Sequence, residues 1–141
     1  MKKTLVTIII VAIGVFAYRA FTNQSSDALG SIQIIIVDQS GDYISNDTYY
    51  FEENDTLFGI LDENYTLGCA NNNYSITDDC SERMFGRVLL KIDSIETDWF
   101  HYFIAIYIND EYSTLGIDDI PLHDQDVYRF EYTKVGEQND N

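Results

Sequence analysis

The sequence predicts an α+β domain, a mixed sheet carrying one short helix, preceded by an N-terminal hydrophobic export or anchor helix. Three observations carry that reading. From Trp99 to Ile108 nearly every residue is aromatic or β-branched, a composition that suits a central strand covered on both faces. From Asp126 to Thr133, Tyr128, Phe130 and Tyr132 alternate with Arg129, Glu131 and Thr133, the period-2 pattern of a half-buried strand. Helical spacing shows in the folded body at Leu57, Ile60 and Leu61, which fall at i, i+3 and i+4.

Residues 1–21 begin with Lys2 and Lys3 and continue in an uncharged apolar run from Leu5 to Ala17. That run has the length of a signal-peptide core and falls short of the ~17–25 residues that span a bilayer comfortably. Two readings stay open. Val15-Phe16-Ala17 offers a cleavage site, while Tyr18, Arg19 and Phe21 can extend the segment into a membrane anchor with Arg19 snorkelling to the interface. Either places the protein outside the cytoplasm, secreted or held at the cell surface. Residues 22–31, TNQSSDALGS, read as a flexible linker, residues 32–134 as one domain and residues 135–141 as a polar tail.

Within the domain, Ser31 to Gln39 is a β-branched run that Ser40-Gly41-Asp42 turns into a second strand, Tyr43 to Phe51, interrupted by a polar bulge or loop at Ser45 to Asp47. Asp38, Ser40 and Asp42 mimic the opening of a calcium loop, but the glycine falls too early and no glutamate closes it. Asp55 or Thr56 caps the helix by accepting its orphan N–H groups. The Asn- and Asp-rich stretch from Leu67 to Glu82 reads as an excursion over the surface, pinned by a disulfide between Cys69 and Cys80. Closing that loop is worth ~3 kcal/mol on the chain-entropy model. Met84 to Ile92 returns to strand chemistry, Asp93 to Asp98 is a polar connection, and Asn109-Asp110-Glu111 turns the chain after the Trp99 strand. Pro121 lies in an extended connection and His123-Asp124-Gln125 forms the last turn.

In order and spacing these elements resemble the C-terminal domain of the cobalamin carriers transcobalamin and intrinsic factor and its bacterial relatives. The matching segments are the helix DTLFGILDEN, the aromatic-Gly strand MFGRVLLKIDSI, the Trp-led strand WFHYFIAIYIN and the closing HDQDVYRFEY. The resemblance covers residues 32–134 and implies a β-grasp-like fold. Asp110 stands where glycine is usual in the family's turn and Gln125 replaces the glycine before Asp126, so both turns are expected to have altered geometry. In the carriers this domain closes over cobalamin against a helical domain that this chain lacks. The resemblance therefore implies cobalamin or a related corrinoid as ligand, at Phe85, Trp99, Phe100 and Tyr102, with a membrane transporter or another subunit completing the pocket. Sheet core is the competing role for each of the four.

The composition bounds the function. Asp and Glu number 24 against 8 Lys and Arg, for a formal charge of −16, and loss of Lys2, Lys3 and Arg19 to the membrane segment makes the exported body three charges more negative. Such a body repels phosphate backbones, which excludes nucleic acid as a partner. Catalysis has no constellation: His101 lies among aromatics, His123 lies beside Asp124 and Asp126 without a nucleophile near it in sequence, and two thiols without a nearby histidine make no metal site. Eleven tyrosines, eight phenylalanines and one tryptophan are more rings than so small a domain buries. Exposed rings suit recognition of a planar or sugar-like ligand. The alternative from another class is a surface module for protein–protein interaction or adhesion, holding its partner by a strand edge or an aromatic patch.

Overall fold

The computed structural model describes residues 28–81, 84 and 86–136. The expected export or anchor helix, most of the linker, the end of the tail and Phe85 lie outside the described residues. Among the described residues no helix is long and apolar enough to cross a membrane.

Among the described residues ten elements follow in order: β1 Gly30–Val37, β2 Tyr43–Phe51, α1 Leu57–Asn64, β3 Leu67–Ala70, β4 Ile76–Thr77, β5 Leu89–Ile92, β6 Ile95–Glu96, β7 Tyr102–Ile108, β8 Glu111–Tyr112 and β9 Val127–Lys134. They build a mixed five-stranded sheet in the order β2-β1-β9-β7-β8 and a second, four-stranded sheet in the order β4-β3-β5-β6. β1 and β9 run parallel at the centre of the larger sheet; its other pairings are antiparallel.

The first hairpin forms because alternate β-branched residues give β1 one apolar face: Ile32, Ile34 and Ile36 are almost wholly buried. Its turn is held by Asp38, whose carboxylate accepts from the N–H groups of Ser40 at 2.8 Å and Asp42 at 3.0 Å. β2 passes through Ser45–Asp47 without a break. The expected irregularity sits at Ile44 instead, where Ile36 faces Ser45 but Val37 faces Tyr43. Thr56 is the N-cap of α1, its Oγ1 accepting from the Gly59 N–H at 3.0 Å, while Asp55 takes the N–H of Glu52 at 2.7 Å. Leu57, Phe58, Ile60 and Leu61 are buried, and each contributes about 1.5–3 kcal/mol on leaving water. They meet β1, β9 and the second sheet in one core with Tyr128 and Phe130 at its centre.

The second sheet corrects the single-sheet expectation. Leu67–Ala70 is a wholly buried strand and no surface excursion. Gly68 lets it in, since a Cβ there would lie 2.9 Å from both Ile76 Cγ2 and Lys91 Cβ. β5 starts at Leu89, later than Met84, and the polar connection after it contains β6, with Ile95 and Thr97 buried. Thr97 tolerates burial because both its N–H and its Oγ1 bond the Leu90 carbonyl.

β7 also departs from expectation. It is second from the edge, with β9 between it and β1, and it starts at Tyr102 because the Asp98 carboxylate draws the chain into a bend. Oδ1 accepts from the N–H groups of His101 at 2.8 Å and Tyr102 at 3.0 Å. Trp99 lies inside that bend with φ +65°.

The two glycine-free turns keep left-handed geometry. Asn109 and Asp110 have φ of +52° and +69°, and Gln125 has +69°. Asn109 offsets its strain by donating to Asp126 Oδ1 at 2.8 Å and accepting from the Val127 N–H at 2.9 Å. Among the described residues the Gln125 side chain has no such return beyond a 3.3 Å contact with its neighbour Asp124. Gln125→Gly is therefore expected to stabilise the domain by about 0.5–1 kcal/mol, the relief of left-handed strain less glycine's added unfolded-state entropy. A thermal melt checks this: the midpoint should rise by a few degrees, and a fall would contradict it.

Candidate ligand-binding site

Two loops bring an aromatic cluster to the surface. The β3–β4 hairpin turns through residues 71–75, where Asn71 Oδ1 accepts from the N–H groups of Asn73 at 2.8 Å and Ser75 at 3.0 Å, and the Asn71 carbonyl accepts from Tyr74. This leaves Tyr74 at φ +58° with its side chain thrown outward. The Asp98 bend does the same for Trp99 and Phe100. The rings meet: Tyr74 and Trp99 lie 6.2 Å apart between centroids and 13° from parallel, with Phe100 edge-on to Tyr74 at 6.4 Å. All three stay open to solvent, Tyr74 at 51%, Trp99 at 39% and Phe100 at 66% exposed.

Two bulky residues in left-handed backbone cost about 1–3 kcal/mol each, and such outliers cluster at functional sites. Folding alone gains little from rings left half in water. The disulfide supports the first loop from below, joining Cys69 at the end of β3 to Cys80, as the sequence implied.

Trp99 also borders a cleft of about 210 Å³, lined among others by Leu89, Phe103, Ile106 and Leu115, where β5 runs beside β7. Arg87 closes one wall, and its charge is already used. Its guanidinium pairs with Asp118, donates from Nε to the Cys80 carbonyl at 2.6 Å and lies 4.1 Å over the Phe58 ring. The cleft is smaller than the ~300–1,000 Å³ typical of small-molecule pockets, too small to enclose a large flat molecule.

The structure thus separates the four sequence candidates. Trp99 and Phe100 share the cluster. Tyr102 does not: its half-buried ring lies 4.8 Å from that of Tyr132, which packs against the core. Phe85 lies outside the described residues. Tyr74 was missed by sequence reasoning, although an aromatic ring in the Asn-rich segment NNNYS was a signal.

The Asp98 bend gives the cluster a pH dependence. The His101 side chain, 2.6 Å from Asp98 Oδ2, and the His101 backbone N–H together lower the Asp98 carboxyl from its usual 3.8 to about 2. A lowered folded-state value favours the fold above the unfolded value of 3.8, and the contribution is lost as pH falls toward 2. Trp99 is the chain's single tryptophan, so its emission should change between pH 4 and 2; no change in that window, with the fold intact by circular dichroism, would contradict the linkage.

The other histidine, His123, contacts Asp126 Oδ2 at 3.1 Å. Asp126 also accepts from the Tyr128 hydroxyl at 3.2 Å and from Asn109, so the carboxylate ties the β7–β8 turn to β9. The Tyr128 hydroxyl, desolvated by burial and facing Asp126, is pushed up to about 12.

No protein-family model matches the chain, and no curated protein matches it. Among solved structures it is similar to the crystal structure of a proposed metal-binding protein from Ruminococcus gnavus ATCC 29149, with a TM-score of 0.52 and 16% identity over 74% of this chain and 97% of that one. A likeness at that identity is one of fold.

Proposed function

We propose that the chain is an extracytoplasmic, non-catalytic binding module whose Tyr74–Trp99–Phe100 surface stacks a flat ligand, cobalamin or a related corrinoid. The observation that carries this is the pair of solvent-open, nearly parallel rings held by left-handed backbone. The topology supports the resemblance behind it. A hairpin, a helix and a central parallel pairing of first and last strands, with β7 and β8 beyond, are the features that a β-grasp-like reading calls for. The Cys69–Cys80 disulfide is consistent with an oxidising compartment outside the cytoplasm.

The affinity follows from the contact. Ring stacking contributes ~1–3 kcal/mol per contact, and two or three contacts, less an association cost of at least ~4 kcal/mol, leave at most about 5 kcal/mol, a Kd no tighter than about 0.1–1 mM. Tight capture then requires a second surface, supplied by a transporter or another subunit. Among the described residues no three His, Cys, Asp or Glu side chains converge on one point, so the metal-binding role proposed for the Ruminococcus gnavus protein is not part of this reading.

Calorimetric titration of the full chain with cyanocobalamin, carried to millimolar ligand, tests the reading. Saturable heat at that affinity supports it; no heat and no change in the corrinoid absorbance would reject it.

A further inference from the structure

Among the described residues the two sheets have four edge strands, and three of these are of two residues: β8, β4 and β6. Short edge strands are one way proteins prevent unwanted pairing. The fourth edge, β2, is nine residues long and spans roughly 30 Å.

The hydrogen-bonding groups on its outer side that no described residue pairs with are identifiable. Gln33 donates its N–H to the Asp126 carbonyl, and the Ser31 carbonyl accepts from Gln125, so both residues direct their backbone groups toward β9. Residues directly opposite in an antiparallel pair point toward each other or away together. Thr48, opposite Gln33, and Tyr50, opposite Ser31, therefore present their N–H and carbonyl groups to the open edge. The devices that blunt such an edge are sparse here. β2 contains no Lys, Arg or Pro, its bulge lies near one end at Ile44, and its one charge, Asp47, turns toward the Ser45 and Tyr65 hydroxyls on the helix side. Tyr43 and Tyr50 flank the edge at 69% and 61% exposed.

The charge around it has one sign. Residues 28–81 contain no Lys, Arg or His, while Asp38, Asp42, Asp47, Glu52, Glu53 and Asp55 lie on β2 or at its two ends. A second copy would bring the same charges against themselves, which disfavours self-pairing.

We propose that the outer edge of β2 accepts an extended, lysine- or arginine-bearing segment of a partner protein as a sixth strand of the larger sheet. Main-chain hydrogen bonds hold the segment and the acidic field selects it. The site lies at the opposite edge of the sheet from β8, with β1 and β9 between it and β7, and is independent of the aromatic surface.

The test uses the full chain in a zwitterionic detergent and the probe peptide acetyl-TKVKTKVKTK-amide. Binding should weaken at least tenfold when glutamate replaces each lysine, when every peptide bond of the probe is N-methylated, and when the protein carries Thr48→Pro. Proline is tolerated on an edge strand where its missing N–H faced solvent, so the variant should keep its melting midpoint and its corrinoid titration. If it does not fold, the N-methylated probe decides alone. Equal binding of the N-methylated probe would overturn the proposal by showing mere charge attraction. Concentration-dependent dimers that Thr48→Pro abolishes would overturn it in favour of a second copy.

Discussion

Replacing Trp99 by alanine is expected to weaken corrinoid binding by about 5- to 150-fold, the loss of ~1–3 kcal/mol of stacking, while the domain keeps its fold. Trp99 stands between Tyr74 and the cleft beside β7, so its removal opens both the stack and the rim. The fold should survive, because the ring is partly exposed and absent from the buried core. Trp99→Gly separates the two roles of the residue. Glycine takes φ +65° without strain, so this variant should lose the same affinity yet melt no lower than Trp99→Ala. Calorimetry and thermal melts on the pair check it; retained affinity in both variants would remove Trp99 from the site.

Removing the disulfide is expected to cost about 3 kcal/mol, which at this domain size lowers the melting midpoint by roughly 12–24 °C. Cys69 is buried at the end of β3 and Cys80 follows β4, so the bridge spans the hairpin that carries Tyr74. Cys69→Ala with Cys80→Ala should therefore also weaken corrinoid binding. The intact protein should resist iodoacetamide until it is reduced. An unchanged midpoint in the double variant would show that β3 is held without the bridge.

Local chemistry made much of this legible in the sequence. The period of β9, the β-branched run of β1, the Thr56 cap and the Cys69–Cys80 pairing each depend on residues close in sequence or on a choice of two thiols. The second sheet was not legible. Leu67–Ala70 is four residues long, carries Gly68 and lies among asparagines, so neither length nor alternation marked it as core. The start of β7 was misplaced because Trp99 and Phe100 have strand composition, whereas one carboxylate, Asp98, redirects the backbone beneath them. Tyr74 joins the candidate site only through tertiary structure, since residues from two loops must meet. The same holds for the open edge of β2, which is defined by the absence of a neighbouring strand among the described residues.

The indole N–H of Trp99 gives a single resonance that reports directly on the candidate surface, because the chain has no other tryptophan. Titrating cyanocobalamin into the labelled full chain should shift that resonance and the Tyr74 and Phe100 amides together, with the Tyr102 amide least affected. A Trp99 resonance that stays fixed while the ligand binds elsewhere, or does not bind, would contradict the assignment of this aromatic surface as the site.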